Sequence, residues 1–185
     1  MDNGRENYKR FLYGDEDGLV EIIREYKDGL ILYLNGFVQN IHLAEELAED
    51  TFVKLGVKKP RDKCVSSFKT WLYTIARNGA IDHLRKNART RTVALDACAS
   101  IPAEQEDLEM LYIRKERRRM MYRAMNRLKP EYHQVLWLVY FEEFSYQQIA
   151  KIMKKSVHNI ETLVYRARRS LKTELEKEGY VYENL

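Results

Sequence analysis

Apolar residues recur every three or four positions along most of the chain, which is the repeat of an amphipathic helix. In the first half this repeat predicts helices over about residues 17–39, 42–55 and 67–87. Asp17 and Ser66 are the predicted caps of the first and third helices. Gly56 and Pro60 are expected to end the second. We therefore predict a helical domain over residues 8–92.

The middle of the chain has a different pattern. Residues 92–107 show no helical repeat and include Pro102, while residues 93–113 contain five acidic residues and no Lys or Arg. A polar, acidic stretch without apolar periodicity is typical of a tether between domains. Residues 93–111 are the predicted linker.

The last third contains several helices with clear boundary signals, one of them short. We expect helicity to resume near Leu108, and Pro130 to be the first residue of a new helix. Ser145 and Gln148 form a predicted capping box, in which each side chain satisfies the other residue's backbone amide. Lys154 and Lys155 make a turn, and Ser156 caps the final helix. Two helices joined by a tight turn predict a helix-turn-helix in a second domain over residues 112–178.

The predicted fold is all-α, with two small helical domains joined by a flexible linker. The chain has 185 residues with only 8 Gly and 3 Pro, and it is 45% hydrophobic and 32% charged, as expected for a folded helical protein. The N-terminus has no signal-peptide pattern, and no apolar run approaches the roughly 20 residues of a membrane span. Cys64 and Cys98 lack metal-site spacing. We expect a cytoplasmic protein without metal or cofactor.

The exposed side of the final helix changes in chemistry along its length. Its early positions are short polar groups that suit base edges, and its later ones are mostly cationic and suit phosphates. This order predicts a recognition helix whose N-terminal end enters the major groove. The alternative is an ordinary surface helix with a basic face. The candidate duplex-binding residues are Ser156, His158, Asn159, Glu161, Thr162, Tyr165, Arg166 and Arg169.

Three segments, in this order, resemble regions 2.2, 2.3–2.4 and 4 of the sigma-70 family. They are LAEELAEDTF (residues 43–52), SSFKTWLYTIARNGAIDHLRK (residues 66–86) and FEEFSYQQIAKIMKKSVHNIETLVYRARRSLKTEL (residues 141–175). The chain length is similar to that of the extracytoplasmic-function (ECF) group, which keeps only domains 2 and 4. The resemblance implies a transcription initiation factor that brings core RNA polymerase to promoters and is not an enzyme.

The resemblance also implies roles for residues of the first domain. The helix over residues 43–52 would bind the clamp helices of the largest polymerase subunit through Glu45, Glu46, Leu47, Glu49, Asp50 and Phe52. Phe68 and Asn78 would hold a flipped base of the melting −10 element. Trp71 belongs to the apolar stripe of the same predicted helix, which favours packing in the core over the alternative of stacking on DNA. The non-template backbone would lie against Arg77, Arg85, Lys86, Arg89 and Arg91.

The second domain would read the −35 element and hold the flap of the second large subunit. Lys154, Glu161 and Leu163 replace a glycine, a lysine and an arginine that are common in the family, which implies a −35 sequence of its own. The acidic linker would pass near the polymerase active-site channel. An anti-sigma factor is a further candidate partner, and no membrane insertion is expected.

Three other functions stay open at this point. A simple repressor or activator would need only the helix-turn-helix, but it leaves the match over residues 66–86 unexplained. An enzyme is disfavoured because the four His residues are dispersed and no phosphate-binding or catalytic motif is present. Glu161 and Leu163 also fit an interaction module that has lost DNA binding.

Overall fold

The structure is a computed structural model that describes residues 2–62, 65–91 and 116–177. Side chains are described for all of these residues except 88–91 and 116–119. Within these ranges the chain is helical, with no strand, which confirms the all-α prediction. The described helices are α1 (Asn3–Leu12), α2 (Asp17–Val38), α3 (Ile41–Lys58), α4 (Phe68–Arg91), α5 (Glu116–Asn126), α6 (Pro130–Tyr140), α7 (Tyr146–Met153) and α8 (Val157–Lys177). The predicted linker, residues 93–111, and the expected start near Leu108 lie outside the described residues.

The boundary signals of the C-terminal helices are confirmed. Pro130 is the first residue of α6, where its missing N–H costs nothing. In the capping box of α7, the Gln148 N–H donates to Ser145 Oγ at 3.4 Å and the Ser145 N–H donates to Gln148 Oε1 at 2.8 Å. Ser156 Oγ accepts from the Asn159 N–H at 3.2 Å and so caps α8.

The N-terminal boundaries differ from the predicted ones. Asp17 is the first residue of α2 rather than its cap, because Asp15 Oδ1 accepts the Asp17 N–H at 3.1 Å. Ser67, one residue after the predicted Ser66, caps α4 by accepting the Thr70 N–H at 3.2 Å. Helix α3 runs through Gly56 to Lys58, because one internal glycine costs only about 1 kcal/mol, less than the helix gains by packing.

The apolar pattern assigned no residues to helix α1, which completes the core of the N-terminal half. Tyr8 is 1% exposed, and its ring lies 5.7 Å from the Phe68 ring and 5.3 Å from that of Trp71, which confirms Trp71 as a packing residue. The Tyr8 hydroxyl donates to the Pro60 carbonyl at 2.8 Å. Asp2 Oδ2 accepts the Phe68 N–H at 2.8 Å, so α1 also caps α4. The predicted domain start at residue 8 falls inside α1.

The C-terminal half forms a helix-turn-helix on a supporting pair of helices. The turn between α7 and α8 contains Lys154 in the left-handed region, with φ 54°, and the Lys155 N–H donates to the Ala150 carbonyl at 3.0 Å. Ile149 and Ile152 of α7 pack with Ile160, Val164 and other buried residues in one core.

The two halves pack against each other. Helix α2 contacts α6, and α4 contacts α7, so that one hydrophobic core continues from the first half into the second. The bounds of the two domains stay a prediction.

Candidate nucleic-acid and polymerase interfaces

Helix α8 presents a polar face to solvent. Buried Ile160, Val164 and Ala167 hold its opposite side against the rest of the C-terminal half. The 3.6-residue repeat places the predicted base- and phosphate-contacting positions along one exposed strip. Tyr165 is 63% exposed, Thr162 is half-buried, and the exposed members are Ser156, His158, Asn159, Glu161, Tyr165, Arg166 and Arg169.

Intramolecular contacts support this strip from both ends. Lys155 Nζ lies 3.0 Å from Glu131 Oε1, which ties the turn before α8 to α6. The Arg168 guanidinium lies 5.4 Å from the centre of the Tyr140 ring, a cation–π distance. Neither contact was predicted, because both join helices whose relative placement the sequence pattern does not define.

The role predicted for Phe68 requires correction. Its side chain is 0% exposed and packs among Tyr8, Tyr26 and Trp71, with ring centres 5.5–5.9 Å apart. No base can stack on this ring unless the core opens. The cause is α1, which covers the start of α4 and was missing from the predicted elements.

Three other predicted strand-binding residues, Arg77, Asn78 and Arg85, share one cleft. It has a volume of about 480 Å³, lies on the side of α4 that faces the helix-turn-helix, and also contacts Lys154. The Arg85 side chain is 75% exposed, and Lys86 is also exposed. Arg77 is half-buried, and its guanidinium lies 6.0 Å from the centre of the Phe37 ring. Arg89 and Arg91 belong to the last turns of α4, whose side chains lie outside the described set.

The predicted polymerase-binding residues of helix α3 fall into two groups, one on the surface and one in the core. Glu46, Glu49 and Asp50 are exposed and Glu45 is half-buried, so they form an acidic surface. Leu47 and Phe52 are only 6% and 5% exposed, and their predicted partner contact is corrected to a core role.

Exposed apolar residues adjoin this acidic surface, and sequence reasoning missed them. Val53 and Val57 are 58% and 78% exposed and line a groove of about 410 Å³ between α3 and α4. Their i, i+4 spacing, outside the buried stripe of α3, was the available signal.

The described residues contain neither a candidate metal-binding cluster nor a helix that could span a membrane. Among these residues, no group of three or more His, Cys, Asp or Glu side chains is arranged to hold a metal ion. None of the described helices combines the length and the apolar character required to cross a membrane.

Comparison with known families and proteins fits this geometry. The family model of Sigma-70 region 2 matches residues 22–90, and that of Sigma-70, region 4, matches residues 118–171. The RNA polymerase sigma factor YlaC of Bacillus subtilis is 29% identical over 162 residues, which cover 87% of this chain and 94% of YlaC. The ECF RNA polymerase sigma factor SigW of the same species is 27% identical over 179 residues, which cover 92% of this chain and 96% of SigW.

Solved structures show the same fold. The sigma factor RpoE of Bartonella quintana, in complex with the anti-sigma factor NepR, superposes with a TM-score of 0.63 at 25% identity. The match covers 84% of this chain and 97% of RpoE. CnrH, in complex with the cytosolic domain of CnrY, gives a TM-score of 0.67 at 17% identity. That match covers 95% of this chain and 98% of CnrH.

Proposed function

The chain belongs to the sigma-70 family of RNA polymerase sigma factors, in its ECF group, and we propose how its residues direct the polymerase to promoters. The observation that carries the proposal is the exposed strip of α8. Along this strip the short polar residues come first and the cationic residues follow, while the opposite side of the helix is buried in the helix-turn-helix core. The protein itself catalyses no bond change and acts in the cytoplasm.

In the proposed complex, α8 docks in the major groove of the −35 element. Its N-terminal end approaches the base edges, where the amide of Asn159 can both donate and accept, as adenine requires. Arg166 and Arg169, about two and three turns later, contact phosphates and fix the register. Lys154, Glu161 and Leu163 give this chain a −35 preference different from that of relatives with the common residues.

The −10 element is bound as separated strands by α4. Asn78, in the cleft, contacts an extruded base, while Arg77, Arg85, Lys86, Arg89 and Arg91 hold the non-template backbone. Because these contacts exist only after melting, their binding free energy shifts the duplex toward the open state. Phe68 is a core residue in this proposal.

Core polymerase is bound through both halves. The acidic surface of α3, formed by Glu45, Glu46, Glu49 and Asp50, meets a basic part of the clamp helices of the largest subunit, where complementary charge speeds association. The C-terminal half holds the flap of the second large subunit. The acidic linker lies near the active-site channel. An anti-sigma factor is a further proposed partner, because the similar RpoE structure contains one.

Run-off transcription with purified core polymerase on genomic fragments tests the proposal. The protein is expected to produce defined start sites, with shared sequence elements near −10 and −35. Asn159→Ala is expected to weaken binding to the intact duplex, and Asn78→Ala to reduce strand opening, as followed by permanganate reactivity of unpaired thymines. Start sites that are unchanged from those of core polymerase alone would contradict the proposal.

A further inference from the structure

One carboxylate interrupts the exposed strip of α8. Between Val157 and Thr173, Glu161 is the one acidic residue of the helix, and every Lys or Arg of this stretch follows it. Its side chain is 55% exposed, so the carboxylate lies at the surface. It therefore stands among the early positions assigned to base edges and not among the later cations assigned to phosphates. A negative charge on a surface that meets polyanionic DNA requires a physical reason.

Intramolecular contacts leave this carboxylate free to accept hydrogen bonds. The helix positions within its reach, three and four residues away, are Val157, His158, Val164 and Tyr165, and none of them is Lys or Arg. Glu161 Oε2 lies 3.8 Å from His158 Nδ1, beyond hydrogen-bond distance. Arg168, two turns further along α8, lies over the Tyr140 ring instead. Within the part of the chain that the structure describes, Glu161 therefore has no hydrogen-bond donor of its own.

The direction of the side chain places its acceptor atoms at the correct end of α8. Helical side chains lean toward the N-terminus of their helix, and the approach of Glu161 to His158 shows this direction. The N-terminal end is the end that a recognition helix inserts into the major groove. The His158 side chain is 86% exposed, so neighbouring helices do not cover this end. A base edge can therefore approach the carboxylate.

The chemistry of the major groove restricts which base fits a carboxylate. An ionised carboxylate only accepts hydrogen bonds. The donors that bases present in this groove are the N4 amino group of cytosine and the N6 amino group of adenine. Adenine places its N7 acceptor beside the amino group, where N7 repels a second carboxylate oxygen, whereas cytosine has no acceptor beside N4. Cytosine is therefore the base that Glu161 fits best.

Glu161 also reverses the hydrogen-bond polarity of its position. It stands where lysine is common in the family, and an ammonium group only donates, which suits the O6 and N7 acceptors of guanine. A guanine offered to Glu161 would bring two acceptors against a carboxylate that has no counter-charge. The wrong base is thus penalised as well as the right base rewarded, which is how large specificity ratios arise.

We propose that Glu161 is a specificity-determining residue that selects a cytosine in the −35 element by accepting a hydrogen bond from its N4 amino group. This inference rests on the proposed docking of α8 in the major groove and adds the identity of one base to it. The same negative charge weakens the attraction of α8 for phosphates on every sequence. Its net contribution to affinity is therefore favourable only where the cytosine is present.

A promoter library with a randomised −35 element identifies the base that Glu161 contacts. Holoenzyme reconstituted from the full chain and purified core polymerase binds the library, and the bound templates are sequenced. The unsubstituted protein is expected to enrich cytosine about tenfold at one position of one strand. Glu161→Lys is expected to replace this cytosine by guanine, and Glu161→Gln by adenine, because these bases match the donors of the new side chains.

Glu176→Gln is the matched control for the loss of charge. Glu176 belongs to the same helix and its side chain is 53% exposed, but it lies beyond the predicted DNA-contacting positions. Its substitution is expected to leave the cytosine preference unchanged. Lys, Gln and Ala are all good helix formers, so none of these variants should unfold α8, and circular dichroism checks their helical content.

Removal of one amino group from the DNA tests the contact at the level of atoms. When 2-pyrimidinone, which lacks the N4 amino group, replaces the selected cytosine, the affinity of the unsubstituted holoenzyme should fall about tenfold. The Glu161→Ala holoenzyme should bind both templates equally. The double-mutant cycle then assigns the loss to the pair formed by Glu161 and the amino group.

Three results would overturn this assignment. They are enrichment of adenine in place of cytosine, a cytosine preference that Glu161→Ala retains, and an equal gain of affinity by Glu161→Ala on every −35 sequence, because the carboxylate would then act through charge alone. Each of them leaves promoter-directed binding intact and therefore spares the proposed function. A holoenzyme that enriches no −35 sequence in any variant would instead contradict the proposed function, and this assignment with it.

Discussion

The substitution Phe68→Ala distinguishes a role of this side chain in the hydrophobic core from a role in contacting DNA. The ring is fully buried at the first position of α4 and contacts three aromatic side chains from α1, α2 and α4 itself. A Phe→Ala replacement at such a buried site lowers the free energy of unfolding by about 3–5 kcal/mol, because the burial of apolar atoms is lost and a cavity remains. For a chain of this size, that corresponds to a decrease in melting temperature of about 6–20 °C.

Urea titration of the purified protein, followed by circular dichroism, measures this cost directly. Phe68→Leu is the matched control, since it keeps most of the apolar volume and is expected to lose less than about 1.5 kcal/mol. Below the melting temperature of each variant, promoter opening should decline only in proportion to the unfolded fraction. If Phe68→Ala retains full stability but abolishes opening, Phe68 contacts DNA and the assignment to the core is refuted.

Three further predictions concern the C-terminal half. The free energy of unfolding should fall by about 2 kcal/mol between pH 7 and pH 5, because burial lowers the pKa of His133 to about 4 in the folded protein and its ordinary value is 6.5, so that the unfolded chain binds the proton first. The variant His133→Gln, titrated in parallel, should lack this part of the pH dependence. Identical pH profiles for the two proteins would contradict the prediction. Ser145→Ala should cost about 1 kcal/mol, because it removes half of the capping box, whereas Gln147→Ala at the exposed neighbouring position should change little in the same urea titration. Arg169→Ala should reduce the slope of log affinity against log salt by about 1 on any promoter sequence, and a sequence-dependent loss would indicate a base contact instead.

The elements of the C-terminal half were predictable because their signals are local. A capping box joins residues three apart, and Pro130 and Ser156 mark helix starts without reference to any other part of the chain. The exposed strip of α8 follows from the same reasoning, since a stripe of buried residues defines its opposite face.

The N-terminal half was harder to predict, because its boundaries depend on distant residues. Helix α1 is short and strongly polar, and it is held by contacts with α4 more than fifty positions away, such as Asp2 with the Phe68 amide. Without α1, the burial of Phe68 could not be inferred. Leu47 and Phe52 were misassigned for a related reason: family likeness indicates which helix meets a partner, but tertiary packing determines which of its side chains face outward.

The contact of Asp2 with α4 determines where this protein can be divided. A fragment designed from the helical repeat alone would begin near residue 17, and one designed from the predicted domain would begin at residue 8. Either fragment would lack the carboxylate that neutralises the positive end of the α4 dipole, and the shorter one would also expose the faces of Phe68 and Trp71 that Tyr8 covers. Such fragments are expected to aggregate, so recombinant versions of the first half must retain the segment from Asp2 onward.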